Sequence, residues 1–246
     1  MNCVTSEGAC SKINDNAVFT QDNLPEFAHV VEAFDRAYQK DTKVYCTFAH
    51  ALDAKNKIAQ AVSALDIPSR PSVLDIGAGP GIITYRVWSM AKRISCIEPS
   101  HTFRQMLLSR TLPCKIRVYE EISDLPRNRS GYDICFASWP DCDIRDVVAA
   151  ADKHLCKDGM CIVALNYGGD AWEKLWPDGV RKFWLARIDK LVALGFNAHI
   201  VQSRFRFSTA KICKNTISYL LGHSAAQSVT ACSLSHNIAV LWRKHL

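Results

Sequence analysis

The stretch from Ser72 to Ser100 constrains the fold more than any other part of this 246-residue chain. It begins with a short apolar run, residues 72–76, of the kind expected of a strand buried on both faces. Three glycines follow at alternate positions, and apolar residues then recur at helical spacing. A second apolar run ends at Glu98. This order of strand, glycine turn, helix, strand and acid predicts one half of a nucleotide-binding βαβ unit.

The chemistry of these residues indicates a ligand that carries a ribose. Glycine allows a tight turn and lets a ligand approach the main chain closely, and amides at the start of a helix attract an anionic or polar group. Glu98 comes about 20 residues after the turn, where an acid can accept both ribose hydroxyls. These features suit any adenosine-bearing cofactor. A dinucleotide-binding turn, however, requires a third glycine where this chain has Ile82.

An acid two residues before the first glycine narrows the choice of family. Asp75 followed by glycines at every second position resembles motif I of the class I S-adenosylmethionine-dependent methyltransferases, and residues 97–100 resemble their second motif. The resemblance covers residues 72–166. It implies a Rossmann-like α/β fold, with a doubly wound, mostly parallel seven-stranded sheet in three layers and an N-terminal helical cap. The alternative, a turn that binds no ligand and an Asp75 that caps local amides, stays open.

The same resemblance implies S-adenosyl-L-methionine as the cofactor, S-adenosyl-L-homocysteine as the product, and a set of cofactor-binding residues. These are Asp75, Gly77, Ala78, Gly79, Gly81, Glu98, Pro99, Glu121, Ile122, Ser138 and Trp139. In the family, the acid at Glu121 accepts the adenine amino group and the residue at Ile122 supplies a backbone amide, although aspartate is commoner than glutamate there. An exposed loop carboxylate is the alternative for Glu121, and closure of the core end is the alternative for Trp139.

Methyl transfer from a sulfonium is downhill, so the resemblance requires neither a catalytic triad nor a metal. The enzyme's main tasks are to position the acceptor in line and to exclude water. An acceptor that must lose a proton also needs a base near the methyl group. The candidate bases or substrate contacts are Asp141, Asp143, His154 and Tyr167, with Tyr38, Tyr45 and His50 as candidate lid contacts on the N-terminal helices. Ordinary helix packing is the alternative for the lid residues.

Composition bears on compartment and partners. A net charge of +6 with dispersed basic residues permits a nucleic-acid partner without demanding one. No apolar run approaches a membrane span, and the N-terminus lacks the pattern of a signal peptide, so we expect a cytoplasmic protein without membrane contact. The eleven cysteines include no C-x-x-C pair, which disfavours a zinc site. A small-molecule acceptor is expected, while protein and nucleic-acid acceptors and a homodimer stay open.

Three parts of the chain are predicted. Residues 1–22 form a flexible arm, residues 23–70 form helices that cap the cleft, and residues 71–246 form the methyltransferase core with a helical insertion at about 208–235. Within the cap, the periodicity predicts one helix from Leu24 and a second over residues 43–65. The last strand is predicted at residues 237–242. Since long insertions are usually functional, we expect this one to cover the substrate cleft or to mediate dimerisation.

Two other functions remain as alternatives. An NAD(P)-dependent oxidoreductase would need a small residue at Ile82 and a nicotinamide half-site, and neither is visible. A non-catalytic, methyltransferase-like subunit would keep the fold, with or without the cofactor, and would transfer no methyl group.

Overall fold

The computed structural model describes residues 27–110, 114–126 and 131–245. The predicted arm at residues 1–22 lies outside the described residues. The helices are α1 (Ala28–Gln39), α2 (Thr42–Ala51), α3 (Lys57–Ser63), α4 (Ile82–Trp88), α5 (His101–Ser109), α6 (Ile144–His154), α7 (Val180–Ala193), α8 (Ala210–Leu221) and α9 (His223–Gln227). Of these helices, none is long and apolar enough to cross a membrane.

Seven strands form one sheet. They are β1 (Ser72–Ile76), β2 (Arg93–Ile97), β3 (Lys115–Tyr119), β4 (Tyr132–Ser138), β5 (Leu155–Asn166), β6 (Asn197–Arg206) and β7 (Ser233–Lys244). Their order is β3-β2-β1-β4-β5-β7-β6, and only β7 runs antiparallel to its neighbours. The predicted doubly wound, mostly parallel sheet is therefore confirmed. The order reverses at β1, where ligands bind in sheets of this kind.

Helices cover both faces of the sheet. On one face, side chains from α1 to α5 and from α8 join a core that includes Phe136 and Phe205. On the other face, α6 and α7 pack over Cys135 and Cys161. Both thiols are almost fully buried and behave as small apolar groups. The result is the predicted three-layer arrangement.

The second predicted cap helix, at residues 43–65, is wrong as a single helix. The chain leaves the helical conformation at Leu52 and starts α3 five residues later. Asp53 and Asn56 both have positive φ, at 46° and 52°. Asp53 holds this break in place, because its carboxylate accepts hydrogen bonds from the amides of Lys57 and Ile58 at 2.8 and 3.0 Å. The apolar spacing continues through the break, so periodicity alone did not reveal it.

Asp53 also ties the cap to the sheet, and its removal should destabilise the fold. Its side chain is 1% exposed and accepts a hydrogen bond from Ser203 Oγ on β6 at 2.5 Å. We expect Asp53→Ala to lower the free energy of unfolding by about 2–3 kcal/mol, because it removes a helix cap and strands a buried hydroxyl. Urea denaturation measures this loss. Ser203→Ala leaves the two amide contacts intact and should cost less; an equal or larger loss there would contradict this view of Asp53.

The region between β6 and β7 contains α8 at the predicted position, followed by the short α9. β7 starts at Ser233, four residues earlier than predicted, so the helical segment ends sooner than residue 235. α8 packs against α1 and α2. Tyr219 of α8 donates a hydrogen bond to Asp41, which lies between those two cap helices. The inserted segment therefore supports the cap.

Candidate functional site

The predicted cofactor residues lie at or next to the carboxyl ends of β1 to β4. Asp75 is the penultimate residue of β1, and the glycine turn follows that strand. Glu98 comes directly after β2, while Glu121 and Ile122 follow β3. Since β1 is central and pairs with both β2 and β4, these groups share one edge of the sheet.

The glycine turn uses its own amides internally. The hydrogen bonds run from Gly77 N and Ala78 N to Ile97 O at 2.9 and 3.1 Å, from Gly79 N to Glu98 Oε2 at 2.7 Å, and from Gly81 N to Ala78 O at 3.0 Å. These four amides therefore bond within the chain, while the prediction for the amides at the start of α4 stays a prediction. The amides of Gly77, Ala78 and Gly79 are directed to the end of β2, and the amide of Gly81 bonds within the turn.

The glycines serve different purposes. Gly77, Gly79 and Gly81 all have φ between 55° and 78°, where side chains are strained. Within the described part of the chain, a Cβ on Gly77 would meet nothing within 4 Å, so the main chain there is open to a ligand. A Cβ on Gly81 would lie 2.6 Å from both Leu107 Cδ2 and Tyr85 Cε2. Gly81 therefore allows α4 to pack against α5, which is a structural task rather than a ligand contact.

Glu98 is the most heavily hydrogen-bonded acid of the site and is only 1% exposed. Its Oε2 accepts from Gly79 N, and its Oε1 accepts from Ser100 N at 2.7 Å and from the Tyr38 hydroxyl of α1. Burial raises the pKa of Glu98, while these hydrogen bonds and the Arg104 charge pull it back down. The carboxylate is thus fixed in place and already satisfied by three donors.

Asp75 lies behind the turn and is also 1% exposed. Its Oδ2 accepts a hydrogen bond from Thr84 Oγ1 of α4 at 2.6 Å, which ties the strand to the helix. Its other oxygen, Oδ1, is buried and has no hydrogen-bond partner among the residues that the structure describes. Burial raises the pKa of Asp75 to about 7, the Thr84 hydrogen bond lowers it, and the nearby charge of Glu98 adds a smaller upward shift.

This shift should make stability fall as the pH rises. The folded protein holds the Asp75 proton up to about pH 7, whereas the unfolded chain loses it near pH 3.8. Between these values unfolding releases a proton, so the free energy of unfolding decreases with pH. We expect Asp75→Asn to reduce that decrease by about 2–4 kcal/mol between pH 4 and 8, measured by urea denaturation across the range. An unchanged pH slope in the variant would contradict the buried, protonated carboxyl.

Glu121, one of the predicted adenine contacts, belongs to a tight turn. Its backbone amide donates a hydrogen bond to the Asp124 carboxylate at 3.0 Å, and its own carboxylate accepts from Ser123 Oγ at 3.1 Å. Glu121 and Ile122 are half-buried, while Pro99 across the edge is exposed. These residues thus lie at the same end of the strands as the glycine turn, and Glu121 forms hydrogen bonds within its own turn.

Trp139 lies just past β4, and its side chain is held by two residues whose contacts the sequence did not predict, Asn166 and His236. Its backbone has φ 48°, and its Nε1 donates to Asn166 Oδ1 at 2.8 Å. The same oxygen lies 2.9 Å from His236 Nε2. An oxygen can only accept, so His236 carries its proton on Nε2. The Trp139 and His236 rings stack with centroids 5.9 Å apart.

His236 itself is fully buried, and burial lowers its pKa to about 3. The ring is therefore neutral at physiological pH, and its Nδ1 has no hydrogen-bond partner. Phe205 stacks on its other face at 4.6 Å, and Trp172 lies beside it at 6.4 Å. Sequence reasoning missed this residue because the contact with Asn166 spans 70 positions. No local pattern marks it.

Two of the four catalytic candidates have other tasks. Asp143 caps α6, accepting from Arg145 N at 2.9 Å and forming an ion pair with the Arg145 side chain at 2.6 Å. That hydrogen-bonded ion pair lowers the pKa of Asp143 to about 2, which makes it a poor base. His154 ends α6, which runs back to the start of β5. His154 therefore lies at the amino ends of the strands, opposite the carboxyl ends where the glycine turn lies.

The other two candidates lie at the correct edge. Tyr167 directly follows β5, its amide donates to Asn237 O, and Arg181 lies over its ring at 5.9 Å. Asp141 follows Trp139 and Pro140 and is exposed. Desolvation by the surrounding protein raises the pKa of its carboxyl, and the positive charge of Arg187 partly offsets this shift.

Arg187 of α7 is a second residue that sequence reasoning missed. Its side chain is 8% exposed, and one guanidinium nitrogen donates to the carbonyls of Pro140 and Cys142 at 2.8 and 3.3 Å. These contacts hold the loop that carries Asp141 on both sides. Burial lowers the pKa of Arg187, and the nearby acidic groups oppose that shift.

Comparison with known proteins shows which fold this chain has. The sequence matches no protein-family model and no curated protein. Solved structures do match. A protein named as a type II methyltransferase from Anaeromyxobacter dehalogenans aligns with a TM-score of 0.52 and 11% identity, over 77% of this chain and 95% of that one. The chain has the class I methyltransferase fold.

A second solved methyltransferase structure has the same fold as this chain. The plantazolicin methyltransferase BpumL, solved with a triazolic desmethylPZN analogue and SAH, aligns with a TM-score of 0.50 and 12% identity. The alignment covers 92% of this chain and all of that one, so it includes the cap as well as the sheet. At such identities the likeness shows the methyltransferase fold, and the site must be argued from the residues of this chain.

Proposed function

We propose that this chain is an S-adenosylmethionine-dependent methyltransferase. The observation that carries the proposal is the pairing of an open main chain at Gly77 with the buried carboxylate of Glu98, both at the reversal point of the sheet. A glycine at this turn admits a ligand to the backbone, and an acid one strand later accepts ribose hydroxyls. BpumL, which shares the fold, was solved with S-adenosylhomocysteine.

The residues fit the chemistry of this cofactor. Glu98 is a carboxylate with acceptor capacity for a ribose, and it is anchored by the amides of Gly79 and Ser100. The Asp75 carboxyl behind the turn leaves its Oδ1 without a partner among the described residues, so this polar group is available to a ligand. Glu121 and Ile122 supply a carboxylate and an amide beside the next strand. In this structure, however, Tyr38 also donates to Glu98.

The internal bonding of the glycine turn disfavours a dinucleotide. A dinucleotide-binding turn presents its amides to a pyrophosphate. Here the amides of Gly77, Ala78, Gly79 and Gly81 all have partners inside the chain. S-adenosylmethionine has no phosphate and does not require them. This argues for a methyltransferase over the oxidoreductase alternative.

The cofactor supplies an electrophilic methyl group, and this chain's residues provide position and enclosure. Glu98 fixes the ribose, and the turn at Gly77 allows close approach. Trp139, locked by Asn166 and His236, forms the wall at the end of β4. The cap covers the edge from above and excludes water. Of the candidate bases, Asp141 suits proton removal best, because its raised pKa lies closer to neutral than that of an ordinary aspartate.

We further propose a small-molecule acceptor. The cap packs on aromatic rings of the core beside β5 and β7: Phe48 of the cap lies 5.6 Å from Trp172 and 5.3 Å from Phe205. Both contacts fall beside the buried His236. A site enclosed by the cap in this way suits a compact acceptor better than a folded macromolecule.

The activity is tested with S-adenosylmethionine that carries a labelled methyl group. The protein is incubated with a cell extract, and the label is counted in small-molecule, protein and nucleic-acid fractions. The proposal expects label in the small-molecule fraction, lost with Glu98→Gln. Label in protein or nucleic acid would overturn the acceptor class. Cofactor binding without transfer to any fraction would favour the non-catalytic alternative.

A further inference from the structure

Two cap tyrosines cover the nucleoside part of the candidate site. Tyr38 of α1 reaches 60 positions along the chain to donate its hydroxyl to Glu98 Oε1. Tyr45 of α2 lies over the glycine turn, with its Cε1 4.0 Å from where a Gly79 Cβ would be. The two rings meet edge to face at 5.3 Å. The cap thus touches both elements that the proposed function assigns to the cofactor.

The Tyr38 hydroxyl has the chemistry of a sugar hydroxyl at this position. It is a neutral O–H donor directed at a carboxylate, as a ribose hydroxyl would be. Burial and the negative charge of Glu98 raise the pKa of Tyr38, which keeps it a donor across the physiological range. Phe103 of α5 holds the ring at 5.0 Å, so the donor is fixed rather than free.

Glu98 cannot accept every donor at once. A carboxylate offers about four lone-pair positions, and three donors already occupy Glu98. Two ribose hydroxyls need two positions, so one of the present donors must leave. Gly79 N and Ser100 N belong to the rigid turn and to the cap of α5. Tyr38 is the one donor carried by a side chain, and the helix behind it covers the 1%-exposed acid.

We infer that Tyr38 is an internal competitor for the ribose: the cofactor must displace its hydroxyl from Glu98, and Tyr38 thereby sets the cofactor affinity. The inference rests on the proposed function. It makes α1 the element that moves when the cofactor binds, and it couples the state of the cap to the occupancy of Glu98. Ligands that keep α1 in place would oppose cofactor binding.

The test is calorimetric titration with S-adenosylhomocysteine of the wild-type protein, Tyr38→Phe and Tyr219→Phe. Tyr38→Phe keeps the ring and removes only the competing hydroxyl, so the dissociation constant should fall about tenfold. Tyr219→Phe is the matched control, because it removes another tyrosine–carboxylate hydrogen bond of the cap, the one to Asp41, away from Glu98. It should change the constant by less than about twofold.

Each other outcome decides against part of the account. Unchanged or weaker binding by Tyr38→Phe, with a wild-type protein that binds, overturns the competition and leaves the proposed function intact. Equal tightening by both variants shows that loosening the cap, rather than freeing Glu98, raises the affinity, which also overturns it. Binding by neither the wild-type protein nor Tyr38→Phe overturns the proposed function together with the inference.

Discussion

Replacing Glu98 by glutamine is expected to weaken S-adenosylhomocysteine binding about thirtyfold to a hundredfold, or about 2–3 kcal/mol. Hydrogen bonds to an ionised acceptor are roughly twice as strong as neutral ones, and the proposed site directs two ribose hydroxyls at this carboxylate. The amide group of glutamine also offers a donor where Gly79 N and Ser100 N need an acceptor. Isothermal titration calorimetry measures the change.

Glu120→Gln is the control for this prediction. Glu120 is close in the fold but exposed, and its carboxylate pairs with Arg104 at 2.8 Å. Its replacement should leave the affinity within about twofold, since an exposed ion pair contributes little. Equal weakening by the two variants would indicate a general electrostatic effect. Undiminished binding by Glu98→Gln would remove Glu98 from the cofactor site.

The pair Gly77→Ala and Gly81→Ala should separate ligand binding from folding. A methyl group on Gly81 clashes with Leu107 and Tyr85 at 2.6 Å and is strained at φ 78°. We expect it to lower the free energy of unfolding by about 2–5 kcal/mol. A methyl group on Gly77 meets no protein atom, so strain alone should cost about 1–2 kcal/mol. Urea denaturation compares the two.

Ligand binding should follow the opposite order. The methyl group on Gly77 occupies the space through which a ligand reaches the main chain, so Gly77→Ala should lose S-adenosylhomocysteine binding at least tenfold while staying folded. Gly81→Ala, in the fraction that folds, should keep most of the affinity. If Gly77→Ala binds as well as the wild-type protein, the open side of the turn is not the ligand side.

The βαβ unit could be predicted because its determinants are local. The glycines adopt the positive φ values that the turn requires, Ser100 caps α5 through Phe103 N, and Glu98 ends its strand as expected. Each of these follows from a residue type at a fixed spacing. The sheet order and the antiparallel last strand then follow from the family pattern that these residues indicate.

Other features of the fold and of the candidate site could not be predicted, mainly because they depend on contacts between residues far apart in the sequence. The tie between the α2–α3 break and β6 joins Asp53 and Ser203, 150 positions apart. The closure of the site depends on Tyr38 and Glu98, 60 positions apart. Sequence spacing also could not show that Asp143 is engaged by Arg145 and unavailable as a base. His154 lies at the amino ends of the strands because α6 runs in that direction, which its residue type alone does not indicate.

The central claim is that the glycine turn and Glu98 bind S-adenosylmethionine. Calorimetric titration of the purified protein with S-adenosylmethionine, S-adenosylhomocysteine and NAD tests it most directly. The account predicts micromolar binding of the first two and none of NAD, because the glycine turn keeps its amides for its own chain. Binding of NAD alone would contradict the account and restore the oxidoreductase alternative.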